Sequence, residues 1–417
     1  MSTTSPLAEL TSIVLVGIRN AGKSSLMNNL FKKDIAIVSD TPGTTTDPVT
    51  RKIELGKLGM CAVTDTAGLD DTGTLGELRI LKSQERLTTA DVLLFVSPGN
   101  LPPHPKEVEF LAWLKAQQLP WIGVLSFADL PPHPEKGQFF PEGKYIFQNN
   151  FQPESALKLV AEMEKRKENI HQEITPVEGL VREQDLVLLV TPIDLSAPAG
   201  RLILPQVETI RDLLDRDCAA LIVKERELSF FYNRLGFRPS LVITDSQAFH
   251  KVAADLPEDQ ALTSFSLLFA RKKGDPAWFI QSLAALKNFP QKGRVLVMEA
   301  CSHHCQAEDI GRVKIPRFFR QMVGSQVEFC HSRQVPEDPT SWDLVIHCGG
   351  CMITQKAMDA RLEIFRKTQV PVLNYGLFLA WVHGLLPRAL EPFPGLVELY
   401  QQQEDCAVYS NSRPEKK

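Results

Sequence analysis

The chain has 417 residues, 43% hydrophobic and 23% charged, with a formal net charge of -4. That length implies two or three domains and that composition a globular protein; the slight acidity argues against a general nucleic-acid binder, which is ordinarily basic. No run approaches the roughly 18–20 apolar residues that span a bilayer, and residues 1–12 lack the basic-then-apolar pattern of a secretory signal, so a cytoplasmic protein without a membrane partner is expected.

In chain order, residues 12–16 read as a short buried strand and 23–31 as a helix. Residues 60–64 form a second strand, followed by a loop and a helical pattern over 75–89. Residues 92–97 and 121–126 are further strands. Alternating strands and helices predict a parallel sheet covered on both faces. A charged helical stretch over 154–173 ends near Thr175-Pro176, where the first domain boundary is placed. The second segment, about 178–263, carries strands at 186–192, 219–223 and 240–244 and a helix at 206–215. The third starts near Ser264, with strands at 294–300, 344–348 and 370–374, and predicts another small α/β unit. No internal repeat is visible in the residues.

Gly17-Ile18-Arg19-Asn20-Ala21-Gly22-Lys23-Ser24 reads G-x-x-x-x-G-K-S, between an apolar strand and a helix. This is the pattern of a phosphate-binding loop: glycines let backbone N–H groups close around phosphates at a helix N-terminus. Lys23 is expected to reach the β- and γ-phosphates, and Ser24 to ligate Mg²⁺. Asp65-Thr66-Ala67-Gly68 follows the next strand; Asp65 can hold Mg²⁺ through water, and the Gly68 N–H can contact the γ-phosphate. Between them, Gly43-Thr44-Thr45-Thr46-Asp47 reads as a switch loop whose threonine closes the Mg²⁺ shell. A nucleoside triphosphatase is expected.

Five of the eight cysteines, Cys301, Cys305, Cys330, Cys348 and Cys351, fall within residues 301–351. In a reducing compartment such clustering points to metal or redox chemistry rather than disulfides. Cys301-Ser302-His303 follows one predicted strand, and His347-Cys348-Gly349-Gly350-Cys351 follows another. Two strand ends of one parallel sheet place their loops at the same edge, so cysteines distant in sequence are expected to converge. An iron–sulfur cluster, a zinc site and a thiol redox pair all fit this spacing. Cys305 and Cys330 fit no second motif and read as buried or incidental.

The first three motifs resemble the translation-factor-like GTPases of the Era and TrmE type, with G-x-x-N-x-G-K-S, G-T-T-x-D and D-T-A-G in order. The resemblance implies a GTP/GDP cradle of Gly17, Asn20, Ala21, Gly22, Lys23, Ser24 and Ser25. It makes Thr45 the Mg²⁺-ligating threonine and Asn20 a ligand of a potassium ion beside the phosphates. It makes Glu77 the acidic residue that orients the attacking water, against a reading of Glu77 as a solvated helix position. The base-recognition motif departs from N-K-x-D: here it is Ser126-Phe127-Ala128-Asp129. Asp129 survives, the asparagine and lysine do not, and no S-A-x motif stands near residues 145–155, which weakens the inference of guanine selectivity.

Taken together, a P-loop GTPase segment followed by C-x-H and a distant H-C-x-x-C resembles the maturation GTPases of FeFe-hydrogenase, the HydF family. The middle segment agrees. Thr191-Pro192-Ile193-Asp194 and the stretch from Ala197 to Gln206 resemble the family's P-I-D…A-P-K-G-R-L-I-L-P-Q, with Ala199 in place of the lysine. The stretch from Asp309 to Pro316 matches D-I-G-R-V-K-I-P. The resemblance covers essentially the whole chain. It implies an α/β protein of three domains: a P-loop GTPase domain (1–173), a small α/β dimerisation domain (178–263) and an α/β cluster-binding domain (264–417). It implies a 4Fe–4S cluster on Cys301, Cys348 and Cys351, with Glu308, His303 or His347 at the fourth position. The implied partners are apo FeFe-hydrogenase, two radical-SAM maturases and further copies of this chain, with no nucleic acid. Two rivals stay open: an RNA- or ribosome-associated GTPase with structural zinc, and a nucleotide-regulated scaffold without catalysis.

Overall fold

The computed structural model describes residues 10–31, 38–39, 49–70, 87, 90–117, 120–168, 174–192, 202–300, 309–324 and 326–411. The chain divides into two compact units, residues 1–172 and 173–417. The predicted helical pattern over 75–89 lies, Leu87 apart, outside the described residues.

The first unit runs β1 (Thr11–Val16), α1 (Lys23–Leu30), β2 (Val38–Ser39), β3 (Val49–Glu54), β4 (Met60–Asp65), β5 (Val92–Pro98), α2 (Pro105–Gln117), β6 (Trp121–Ser126), α3 (Lys136–Phe139), β7 (Tyr145–Phe147) and α4 (Pro153–Glu168). Its sheet has the order β2-β3-β4-β1-β5-β6-β7. β1 alternates its side chains between two cores, as a strand must. Ile13 and Leu15 pack with Leu26, Leu30 and Leu159 on one face, and Val14 and Val16 with Phe95, Leu111 and Leu114 on the other. The expectation of a wholly parallel sheet is corrected at one edge: β2 pairs with β3, and β3 with β4, antiparallel. β3, Val-Thr-Arg-Lys-Ile-Glu, carries too few apolar residues to stand out as a strand.

The second unit runs β8 (Leu186–Val190), α5 (Leu204–Asp215), β9 (Ala219–Val223), α6 (Leu228–Tyr232), β10 (Leu241–Thr244), α7 (Phe249–Asp255), β11 (Leu262–Ser264) and α8 (Phe265–Lys273). Then come α9 (Pro276–Ser282), α10 (Ala284–Lys287), β12 (Arg294–Met298), a π-turn (Ile310–Lys314) continuing into α11 (Ile315–Met322), β13 (Glu328–Ser332) and β14 (Leu344–His347). α12 (Gln355–Lys367), β15 (Val372–Asn374), α13 (Tyr375–Val382), α14 (Leu386–Leu390) and α15 (Leu396–Asn411) close the series.

Two four-stranded parallel sheets result, ordered β11-β10-β8-β9 and β13-β12-β14-β15. They have the same topology and the same register. Leu186 pairs with Ala219 and Val187 with Leu241 in one, as Arg294 pairs with Glu328 and Val295 with Leu344 in the other. Val242 opposite Leu262 corresponds to Val345 opposite Val372. The unit is therefore a structural repeat that the sequence did not disclose. Both halves share one continuous core. Their last strands lead into α8 and α13, each capped by a small polar residue, as helix N-termini prefer: Ser264 accepts from the Leu267 N–H, and Asn374 from the Gly376 N–H. The two helices meet at equivalent positions, where a Cβ on Gly376 would lie 2.3 Å from the Ser266 Cβ, so glycine is required there.

Among the described residues, no helix is long and apolar enough to cross a membrane.

Candidate phosphate and thiol sites

In the first unit, the loop after β1 turns tightly under β5. A Cβ on Gly17 would sit 2.1 Å from the Val96 carbonyl oxygen, which excludes any side chain. Asn20 and Gly22 have φ of 57° and 92°, left-handed conformations that turn the loop back toward α1. Lys23 is buried, and its ammonium donates to the carbonyl oxygens of Gly17 (2.9 Å) and Ile18 (2.8 Å). Ser24 and Ser25, at the start of α1, are exposed.

The loop after β4 is stitched to this cradle. The Thr66 hydroxyl donates to Leu15 O at 2.7 Å and the Leu69 N–H to Gly17 O at 3.1 Å. A Cβ on Gly68 would lie 2.6 Å from Arg19 Cγ and 3.0 Å from Arg19 N, so only glycine lets the two loops approach this closely. Ser24 Oγ donates to Asp65 Oδ2 at 2.9 Å. The other carboxylate oxygen, Asp65 Oδ1, is buried and has no hydrogen-bond partner among the described residues. Burial raises the Asp65 pKa, opposed by the Ser24 hydrogen bond and the Lys23 charge. A desolvated carboxylate beside a serine hydroxyl and a lysine, with one oxygen unsatisfied, fits Mg²⁺ and a phosphate chain. Thr45 and Glu77 lie outside the described residues.

At the altered base motif, Ser126 takes a positional role. Its buried hydroxyl donates to Ala21 O of the phosphate loop at 2.6 Å, with Ser97 O also in reach at 3.2 Å. Phe127 is left-handed at φ 58°, an unusual conformation for an aromatic residue, and Asp129 is exposed. After β7, Asn150 Nδ2 donates to Gly22 O at 3.4 Å. So Ser126 and Asn150 both brace the cradle, and Ser126 was singled out in the sequence only as a departure.

The thiol site lies in the second half of the second unit. There β12 is flanked by β13 on one side and β14 on the other, so the loops after β12 and β14 diverge from a switch point, where open α/β sheets bind ligands. Cys348 follows β14; its N–H donates to Met298 O at 2.9 Å. Cys348 Sγ accepts the Ala300 N–H at 3.1 Å. Ala300 and Cys348 are thus brought together. Cys301, His303, Cys305 and Glu308 themselves lie outside the described residues. Cys348 and Cys351 are both half-buried. The Cys351 thiol is pushed up to about 11 by burial, with Cys348 adding to the effect and Lys273 opposing it. His347 is buried; its Nδ1 lies 2.7 Å from Cys348 O, and its Nε2 is buried without a hydrogen-bond partner among the described residues. Two sulfurs, a backbone N–H on one of them and an unsatisfied imidazole nitrogen form a donor set that suits a metal centre. Among the described residues, no group of three metal-ligating side chains is assembled. Cys330, read as buried or incidental, is exposed on the edge strand β13. In the first half, Leu241 occupies the register position of Leu344, so Asp245 corresponds to Cys348. At this position a thiol stands in one half only.

Residues 177–274 match the hydrogen maturase F dimerization domain, and residues 277–392 the hydrogen maturase F tetramerization domain. The chain belongs to the hydrogen maturase F family. Residues 12–126 match the family described as 50S ribosome-binding GTPase, which places a GTPase domain at the front of this maturase. Curated relatives include the tRNA modification GTPase MnmE of Methylobacterium radiotolerans, 44% identical over 23% of this chain and 22% of the relative. The same enzyme of Clostridioides difficile is 35% identical over 27% of this chain and 24% of its own. The chain thus spans about a quarter or less of the length of the curated relatives it matches. Among solved structures, the G domain of the T. maritima FeoB iron transporter aligns at 17% identity over 38% of this chain and 99% of that chain, with a TM-score of 0.28, too distant to support more.

One residue of the maturase's thiol site gave no signal in the sequence. Lys273, the last residue of α8, is buried, and its ammonium reaches the carbonyl oxygens of Gly350, Cys351 and Ile353. In the sequence it stands in Arg271-Lys272-Lys273, a run that reads as a solvated helix end.

Proposed function

We propose that this hydrogen maturase F is a GTP-hydrolysing scaffold that carries a 4Fe–4S cluster and passes a di-iron precursor to apo FeFe-hydrogenase. The observation that carries this reading is the union, in one chain of this family, of a braced phosphate cradle with a C-x-x-C loop at a sheet switch point. In the G domain, Lys23 would leave its loop carbonyls for the β- and γ-phosphates. Ser24, Thr45 and Asp65 would hold Mg²⁺, Asn20 a potassium ion, and Gly68 the γ-phosphate. Glu77 would orient the attacking water, and Asp129 would meet the base edge. Loops at 43–47 and 68–77 would order on GTP and bias docking.

Cys301, Cys348 and Cys351 would hold the cluster, with Glu308, His303 or His347 as a displaceable fourth donor. The cluster would supply an iron site whose labile position can accept cargo. The residues around it act locally: the Ala300 N–H donates to the Cys348 sulfur, and the glycine pair would give the loop the freedom to bring both sulfurs to one centre. In this reading residues 1–173 switch, 178–263 dimerise and 264–417 hold the cluster. Two radical-SAM maturases would build the precursor. The tRNA modification named for the curated relatives is not carried over, because the match to them is confined to the G domain. The test is a maturation mixture lacking only this component: addition of the chain with GTP should restore hydrogenase activity, and no restoration would overturn the assignment.

A further inference from the structure

The Cys348–Cys351 loop is hard to hold by itself. It contains two adjacent glycines, and Gly350 stands at φ 63°, so its backbone has much freedom to lose. The structure restrains it from the other half of the repeat. Lys273 is 2% exposed. Its ammonium lies 3.3 Å from Gly350 O, 3.3 Å from Cys351 O and 3.0 Å from Ile353 O. An ammonium has three N–H donors, and three carbonyls of one loop converge on it.

The repeat makes this contact more telling. α8 and α13 are equivalent helices, so Lys273 corresponds to His383, the C-cap of α13. The His383 and His250 rings lie with centroids 6.0 Å apart, tilted by 57°. The end of α13 thus lies against α7 of the first half, and the end of α8 against the thiol loop of the second. Only the half bearing the C-x-x-C loop receives a lysine. Lys273 lies in the stretch matched to the dimerization domain, and the thiol loop in the stretch matched to the tetramerization domain.

We propose that Lys273 is the positioning residue of the thiol site: it fixes the backbone of the C-x-x-C loop, and its buried charge favours the more negative state of the centre held there. The second clause rests on the proposed cluster; the first stands on the metal-free chain. A positive charge held out of water beside thiolates acts through a low effective dielectric, so it stabilises a one-electron reduced cluster over the oxidised one.

The experiment uses the full chain with Lys273→Met and Lys273→Arg. In metal-free protein, the rate of amide hydrogen exchange over residues 349–353 is read by mass spectrometry. Lys273→Met should exchange roughly tenfold faster, the scale of losing hydrogen bonds from a charged donor, and Lys273→Arg should stay near the unsubstituted chain. In reconstituted protein, the midpoint potential should move more negative in Lys273→Met and recover in Lys273→Arg, a readout that loop packing alone would not restore by charge. Unchanged exchange and unchanged potential in Lys273→Met overturn the proposal; faster exchange with unchanged potential overturns its charge clause. If the unsubstituted chain assembles no cluster yet Lys273→Met still exchanges faster, the cluster reading fails and the positioning role stands. Should Lys273→Met not fold, Lys273→Gln, which keeps two donors, takes its place in both measurements.

Discussion

Lys136→Met should cost the first unit far more than a surface charge does. The Lys136 ammonium lies 2.8 Å from Glu107 Oε2 and donates also to Ser97 Oγ, and both charged side chains are fully buried. Glu107 Oε2 accepts the His104 N–H at 2.8 Å as well, while Oε1 is buried without a hydrogen-bond partner among the described residues. Removing the lysine leaves a buried carboxylate uncompensated, a loss of about 3–5 kcal/mol. For a unit of this size that is a fall of roughly 6–20 °C in melting temperature. Adding Glu107→Gln removes the charge and keeps an acceptor for His104, so the double variant should recover most of the loss. The assay is urea unfolding followed by tryptophan fluorescence, since Trp113 stacks on Phe110 of the helix that bears Glu107. The pair also reaches the phosphate cradle, because Ser97 O faces the Ser126 hydroxyl that holds Ala21. Nucleotide affinity should therefore fall with stability. A loss under about 1 kcal/mol, the range of exposed pairs, would refute the reasoning.

The remaining predictions concern both units. A carboxyl whose folded pKa is raised contributes stability below its ordinary pKa and loses it as pH rises through the folded value. In the nucleotide-free chain Asp65 is such a group, so Asp65→Asn should raise the melting temperature at pH 7 while abolishing the stabilisation given by Mg²⁺ and GTP; scanning calorimetry with and without both ligands checks it. Lys23→Ala should abolish GTP hydrolysis, read as phosphate release, while leaving iron content after reconstitution unchanged. Val207 and Leu214 on α5 and Ile222 on the edge strand β9 are exposed apolar residues within the matched dimerization domain. Leu214→Glu with Ile222→Glu should shift the mass measured by light scattering toward the monomer.

Much of this was legible because the relevant chemistry is local. The phosphate loop announces itself through glycines whose necessity is steric, Gly17 against Val96 and Gly68 against Arg19. The C-x-x-C loop followed a strand and so had to lie at a sheet edge. What escaped is non-local. Lys273 acts on a loop almost eighty residues away, and nothing in its neighbours distinguishes it from a solvated lysine. The repeat escaped because it is preserved in strand order and register rather than in residue identity: Leu241-Val242-Ile243-Thr244 and Leu344-Val345-Ile346-His347 are alike, but the helices and loops between such strands are not. Ser126 escaped because its role is to reach the Ala21 carbonyl, which a motif defined by base contacts does not describe.

The most direct test of the account is anaerobic reconstitution with iron and sulfide, followed by EPR of the dithionite-reduced protein. The account predicts an S = 1/2 signal from a reduced 4Fe–4S cluster, lost in Cys348→Ser and in Cys351→Ser while GTP hydrolysis persists in both. Tightly bound zinc with no reducible cluster, or a signal that survives both substitutions, would contradict it.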